Sequence, residues 1–226
     1  MQHDQPDLNN APNLPTDRRA MLAGIGGLAA GALLVRKANA GPLSPPPGPV
    51  ESTNKTLTEV EPRTPVNAST VPGDGDSVFR IKQPGSYYLT DSVIGVPGLH
   101  GIKITASGVT LDLRGFTLQG VPGSLSGILI DSTAERVSIH DGFIASWDSS
   151  GVRHAGFGKS IAVARVVVTD CKTNGIFLPD SCAVIDCQVS GTTNTGGFGI
   201  HVNSHSVVDR CVVQGVAGSG IRVFNG

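Results

Sequence analysis

A glycine-led apolar triplet that recurs six times limits most strongly what this chain can fold into. In each copy a glycine precedes an apolar, a variable and an apolar position, the alternation of a strand with one buried face. The glycines are 26, 24, 24, 24 and 21 residues apart, a period typical of a solenoid. The glycine that precedes each strand allows a positive φ at a corner. The copies are Gly101–Ile104, Gly127–Ile130, Gly151–His154, Gly175–Leu178, Gly199–Val202 and Gly220–Val223.

Two more apolar runs follow most of the triplets. Val109–Leu113 and Phe116–Leu118 follow the first, with Gly, Asn, Asp or Ser between the runs. Three short strands separated by such residues make one coil, and stacked coils about 4.8 Å apart give three parallel sheets around one core. A leucine-rich repeat would need a Leu-x-x-Leu-x-Leu frame and a helical return, and neither is present. The sequence therefore predicts an all-β parallel β-helix of about six coils.

The triplets and their following strands resemble the right-handed parallel β-helix proteins of the pectin lyase-like superfamily. The resemblance covers roughly residues 76–226. It implies a single-stranded, right-handed parallel β-helix, in agreement with the general preference of parallel crossovers. Proteins of this architecture serve as lyases, hydrolases, epimerases, tail-spikes and adhesins, so the resemblance points to the fold and leaves the activity open.

The first 40 residues have the order of an export signal. A polar leader precedes paired arginines, a Gly- and Ala-rich apolar run and a small-x-small cleavage site. The pattern resembles a twin-arginine signal and predicts cleavage after Ala40, with a periplasmic, cell-surface or extracellular location and no membrane contact afterwards. A single membrane anchor is the alternative, but spanning takes about 20 strongly apolar residues. The signal residues are Arg18, Arg19, Leu22, Ala38 and Ala40.

The chain then divides into a linker and one repeat domain. Residues 41–75 are rich in proline, which fixes φ and removes backbone donors, so they predict an extended linker or a wrap against the solenoid. Residues 76–226 form the predicted β-helix domain, with an atypical coil at 76–99 that caps its N-terminal end. The last triplet is followed only by Phe224, Asn225 and Gly226, without a capping segment. We expect a truncated solenoid that associates end to end.

Composition excludes some partners and cofactors. A net charge of −1 argues against a strongly basic nucleic-acid binder. Only 4% of the residues are aromatic, so few side chains are available to stack on bases or sugars. Cys187 and Cys211 lie 24 residues apart at equivalent positions, so we interpret them as small core residues in a stack. A disulfide is the alternative, although strands in register hold β-carbons wider apart than a bridge prefers. The cysteine and histidine spacing does not fit zinc, and we predict no metal or cofactor.

The polar corner residues do not form a familiar catalytic cluster. In the family that the chain resembles, lyases use clustered aspartates for calcium and a basic residue for proton abstraction, whereas hydrolases use aspartates on adjacent coils and a histidine. Here the corner aspartates occur singly, and acceptance of turn amides is the simpler role. His154 stands where other triplets have an apolar residue, and is either a buried, hydrogen-bonded side chain or part of a bulge. The corner aspartates are Asp112, Asp141, Asp186 and Asp209.

The middle residue of each triplet must point away from the core if its neighbours point inward. We call the resulting line of side chains, about 25 Å long, the stripe. Three cations, a titratable histidine and an aromatic ring in one line predict a binding face for an acidic polysaccharide or cell-surface glycan. The alternative is a solvated face whose long side chains cover apolar surface. The stripe consists of Lys103, Leu129, Arg153, Phe177, His201 and Arg222.

Two functions therefore remain open. The first is an exported, non-catalytic β-helix that acts as a surface, structural or glycan-binding element. The second is a polysaccharide lyase or glycoside hydrolase that acts on an acidic polysaccharide. Two or more carboxylates about 5 to 10 Å apart along one groove would favour the enzyme.

Overall fold

A computed structural model describes residues 61–224, so the predicted export signal lies outside the described range. The described residues form strands, turns and loops without a helix, and wind into a parallel β-solenoid of about seven turns. The all-β parallel solenoid predicted from the triplets is confirmed. The triplets predicted about six coils, and the additional turn is the opening coil. Its strand Ser77–Ile81 pairs with the strand of the first triplet.

The strands lie in two sheets. We call the seven-stranded sheet, which contains all six triplets, the triplet sheet. Its strands are β2 (Ser77–Ile81), β5 (His100–Ile104), β8 (Ile128–Ile130), β10 (Ser150–His154), β12 (Asn174–Leu178), β15 (Phe198–Val202) and β18 (Ser219–Val223). The eleven-stranded sheet contains β1 (Thr64–Val66), β3 (Gly85–Leu89), β4 (Val93–Ile94), β6 (Val109–Asp112), β7 (Thr117–Gln119), β9 (Val137–Ala145), β11 (Ile161–Thr169), β13 (Ala183–Ile185), β14 (Gln188–Ser190), β16 (Val207–Asp209) and β17 (Val212–Gln214).

The second and third strands of each coil share one sheet, where three separate sheets were expected. In the middle coils they merge into the nine-residue strands β9 and β11, which pair on both sides of a one-residue corner. Asp141 and Arg165 occupy that corner with φ values of 62° and 53°. Because a single left-handed residue turns the chain without ending the strand pairing, the sheet bends and continues.

Five of the six triplet glycines, all except Gly220, are needed for close approach and not for a positive φ. None of the six is among the described residues with positive φ. A β-carbon on Gly175 would lie 2.2 Å from Cγ1 of Val189 and 2.6 Å from the carbonyl oxygen of Gly199 in the next coil. Real β-carbons do not approach other atoms so closely. Glycine therefore brings the triplet strand against the third strand and the neighbouring coil.

The inward residues of the triplets form one continuous ladder in the core. The register pairs Ile102 with Ile128 and continues through Val152, Ile176 and Ile200 to Ile221. The first five of these side chains are fully buried, whereas 47% of Ile221 is exposed. The last described coil thus presents apolar side chains to solvent, and end-to-end association stays a prediction.

Part of the predicted linker contacts the solenoid. Strand β1 pairs in parallel with β3, with Thr64 opposite Tyr87. Val66 and Val71 are buried and belong to the same hydrophobic core as the coils. The Arg63 side chain donates hydrogen bonds from Nε to Oε1 of Glu61 and from Nη1 to Oδ2 of Asp112, both at 2.7 Å. These contacts place residues 61–71 over the N-terminal end of the core.

Candidate functional site

The strand register aligns the stripe in a single row on the outer face of the triplet sheet. Each stripe residue lies opposite the next, from Lys103 through Leu129, Arg153, Phe177 and His201 to Arg222. Arg80 lies opposite Lys103 and precedes the stripe in the same row. Sequence reasoning missed Arg80 as a member of this row because no glycine-led triplet marks strand β2.

The cations at the N-terminal end of the row are neutralised within the chain. The Lys103 Nζ atom lies 2.5 Å from Oδ2 of Asp76, and the Lys103 side chain is only 14% exposed. Arg80 forms an ion pair with Asp74 and lowers the pKa of that carboxyl well below its usual range. Lys103 is therefore paired within the chain, because the turn before β2 supplies one carboxylate to Lys103 and another to Arg80.

The middle of the stripe is open. Arg153 is exposed, and no ion pair within residues 61–224 involves it. Arg153 and the half-buried Phe177 line a shallow groove together with hydroxyl and amide side chains. A cation beside an aromatic ring and several short polar groups can bind a carboxylate and the hydroxyls of a sugar. The polar lining residues are Ser149, Ser150, Thr173 and Asn174.

Aromatic side chains surround His201 at the C-terminal end. The His201 ring lies 4.7 Å, centroid to centroid, from the rings of Phe177 and Phe198. The guanidinium of Arg222 lies over Phe198, 5.2 Å from its centroid, and over Phe224 at 5.3 Å. Burial lowers the pKa of His201; the hydrogen bond between its Nε2 and Oδ1 of Asn203 opposes this shift, and nearby Arg222 adds to it. His201 is therefore neutral at pH 7, and its titration shifts below the ordinary histidine range.

Buried polar atoms without a partner are concentrated near this face. Five such side-chain atoms occur among the described residues. Two are Nδ1 of His201 and Nε of Arg80, which belong to the row itself. A third is Oδ1 of Asp76, the partner of Lys103, and a fourth is the hydroxyl of Ser126, which lies next to His100 in the triplet sheet. Unsatisfied buried groups are rare in folded proteins, so their concentration here marks this face as a functional candidate.

A second polar cluster lies at the corner of the eleven-stranded sheet. One ligand atom from each of Asp112, His140 and Asp141 falls within 4.8 Å of the other two. His140 Nδ1 lies 2.7 Å from Oδ2 of Asp141, and Arg63 Nη1 lies 2.7 Å from Oδ2 of Asp112. Arg165 binds both oxygens of Asp141, at 2.5 and 2.8 Å, and with this bond lowers the pKa of Asp141 to about 2.

Arginine side chains therefore pair with the corner carboxylates, which do not stand free along a groove. A cation bound there would compete with Arg63 and Arg165 for the same oxygens. The predicted turn role fits Asp112, whose Oδ1 accepts a bond from the backbone N–H of Arg114 at 2.9 Å. Asp141 and Asp186 instead bind arginines of the following coil, and the Arg210 Nε atom lies 2.6 Å from Oδ1 of Asp186.

His154 is a buried side chain with both ring nitrogens bonded. Its Nε2 atom lies 3.2 Å from the carbonyl oxygen of Ala134, and its Nδ1 accepts a bond from the backbone N–H of Gly156 at 3.0 Å. This pattern assigns the proton of the neutral ring to Nε2. Of the two interpretations left open by the sequence, the hydrogen-bonded core histidine agrees with these contacts.

All four cysteines are free thiols. Cys187 and Cys211 occupy equivalent positions in adjacent coils, as the interpretation of a core stack requires. Their sulfurs donate to the carbonyl oxygens of Ile185 and Asp209, each at 3.3 Å. Burial raises the pKa of Cys187 to about 11, so its reactive thiolate is scarce at neutral pH.

Comparisons of the chain with protein-family models, curated proteins and solved structures gave no match. Within residues 61–224 there is also no helix with the length and apolarity of a membrane span.

Proposed function

We propose that this protein is an exported, non-catalytic β-solenoid of the pectin lyase-like type, and that the outer face of its triplet sheet binds an acidic glycan. The alignment of Arg153, Phe177, His201 and Arg222 in one row is the observation that carries this proposal. A repeated sheet presents side chains at a fixed interval of about 4.8 Å, which suits an extended polymer better than a compact ligand.

The chemistry of the row supports an acidic ligand. The guanidinium of Arg153 can bind a carboxylate or sulfate with two parallel hydrogen bonds. The ring of Phe177 offers an apolar surface next to it, and the groove supplies hydroxyl groups that both donate and accept. Arg222 adds a second exposed cation in the same row, at the end where Phe198 and Phe224 hold its guanidinium.

Arg153→Ala should weaken binding of polygalacturonate by about tenfold or more, since a hydrogen-bonded charge contributes about 1.5–3 kcal/mol. Lys103→Ala should weaken it less than about twofold, because Asp76 already neutralises Lys103. Titration calorimetry at low and physiological salt measures both effects, and added salt should weaken the wild-type complex. Lys159→Ala removes an exposed cation outside the row and is the matched control. Equal losses in all three variants would contradict a site at Arg153.

Protonation of His201 adds a cation to the row only in acid. Because burial lowers the pKa of His201, any gain in affinity from this residue should begin below pH 6.5, the ordinary histidine value. Affinity should therefore be flat above pH 7 and rise toward pH 5, and His201→Gln should remove the rise. A rise of the same size in that variant would assign the pH dependence to another group.

The export part of the proposal depends on the paired arginines. If the twin-arginine machinery reads them, Arg18→Lys with Arg19→Lys should leave the uncleaved precursor in the cytoplasm, although charge is conserved. Arg36→Lys is a conservative change in the same leader and should leave export intact. Fractionation followed by mass measurement of the N-terminus distinguishes the outcomes. Unchanged export of the double variant would favour the general secretory route or a membrane anchor.

The corner cluster keeps the enzymatic alternative testable. His140 lies between two carboxylates on neighbouring coils, an arrangement that can exchange protons. The arginines that bind both carboxylates favour a structural ion-pair network, and for this reason we place binding first. Release of unsaturated products from polygalacturonate, lost in Asp141→Asn, would establish lyase activity and overturn the non-catalytic proposal.

A further inference from the structure

The row of outward side chains has two halves that differ in charge. In the N-terminal half, Arg80 pairs with Asp74 and Lys103 pairs with Asp76. In the C-terminal half, Arg153 and Arg222 have no ion pair within residues 61–224. All four cations point outward from equivalent positions, so the strand geometry does not cause the difference.

The difference comes from the turn that precedes β2. Asp74 accepts hydrogen bonds from the hydroxyl of Ser77 and from the backbone N–H of Asp76, and its own N–H donates to the carbonyl oxygen of Ser77. These bonds fold residues 74–77 into a compact turn at the end of the triplet sheet. The turn therefore places two carboxylates over the first two cations of the row.

The fit of these carboxylates is incomplete. Oδ1 of Asp76 and Nε of Arg80 are buried without a partner. A pair formed only to stabilise the fold would be expected to satisfy both groups fully. The free N–H of Arg80 is a donor and agrees with a cation position that is also suited to another carboxylate, whereas Oδ1 of Asp76 is an acceptor and lacks only a donor.

We propose that Asp74 and Asp76 are specificity-determining residues. They pair with the first two cations of the row, where the carboxylates of a ligand would otherwise bind. This inference rests on the proposed glycan-binding function. Acidic groups of the ligand then bind only at Arg153 and Arg222, which lie three coils, or about 14 Å, apart. The ligand class is an extended glycan with widely spaced acidic groups. A polymer that is acidic at every residue binds more weakly than it would if all four cations of the row were available.

The test is a gain of binding. Asp74→Asn with Asp76→Asn should increase affinity for polygalacturonate by about two- to tenfold, as expected for two restored surface cations, and should steepen its salt dependence. The increase should be smaller for hyaluronan, in which acidic residues alternate with neutral ones. Asp91→Asn removes one exposed carboxylate away from the triplet sheet, and twice its effect on the binding free energy controls for the two charges removed. Asp76→Asn with Lys103→Met should abolish the part of the gain that comes from Lys103.

The outcomes separate this inference from the proposed function. Failure of the wild-type protein to bind either polymer would overturn the proposed function itself. Wild-type binding with no more gain in the double variant than twice the free-energy effect of Asp91→Asn would overturn the inference and leave the function standing. Thermal unfolding of each variant confirms that it is folded.

Discussion

Trp147→Ala should lower the free energy of unfolding by about 3–5 kcal/mol, the usual range for removal of a large buried aromatic side chain. Trp147 is fully buried, and its Nε1–H donates to the carbonyl oxygen of Leu118 at 3.0 Å. Its ring fills space left by glycines of neighbouring coils, since a β-carbon on Gly101 would lie 2.8 Å from the ring. Alanine would leave a cavity shared by several coils. Urea unfolding followed by circular dichroism measures the loss.

Trp147→Phe is the matched control for this prediction. Phenylalanine keeps much of the ring volume and loses the hydrogen bond together with part of the indole, so the loss should be clearly smaller than for alanine. The carbonyl oxygen of Leu118 would then lack this donor. A loss below about 1 kcal/mol for Trp147→Ala would show that the coils collapse into the space without cost, contrary to the tight packing around the ring.

The sequence predicted the stacking of coils because the period determines the register. A slip of one residue would turn every inward side chain outward, so the alternation within each triplet determines which residues lie in the core. The same reasoning predicted the alignment of the stripe. It could not find Trp147, because this residue occurs once, at a corner between strands, where no repeated pattern indicates a buried position.

The role of the triplet glycines could not be decided from the sequence, for a physical reason. Both a positive φ and a close approach favour glycine, and a sequence alone does not distinguish them. In this solenoid the positive-φ corners fall on other residues, among them Arg165 and Asp186, while the triplet glycines except Gly220 make close contacts. The residues at these corners also form ion pairs between coils, Arg165 with Asp141 and Asp186 with Arg210, and these contacts help to hold the positive φ.

The charge state of the stripe depends on contacts that no repeat encodes. Asp74 and Asp76 lie in a turn outside the periodic region, so no repeated pattern pairs them with Arg80 and Lys103. Burial of His201 likewise depends on Phe198. Phe198 directly precedes the glycine of its triplet, at a position where the other triplets have different residues. The row of positions was therefore predictable, whereas the number of free cations in it was not.

Ile176→Ala should lower the free energy of unfolding by about 2–5 kcal/mol, because Ile176 is fully buried in the inward ladder between Val152 and Ile200. Ile221 occupies the same ladder in the last described coil, but 47% of it is exposed. Ile221→Ala deletes the same atoms and should lower the free energy by less than about 1 kcal/mol, since less apolar surface leaves the core. Denaturant unfolding of the two variants compares them directly. Equal losses would contradict this difference in burial and would mean that in solution Ile221 is covered as completely as Ile176.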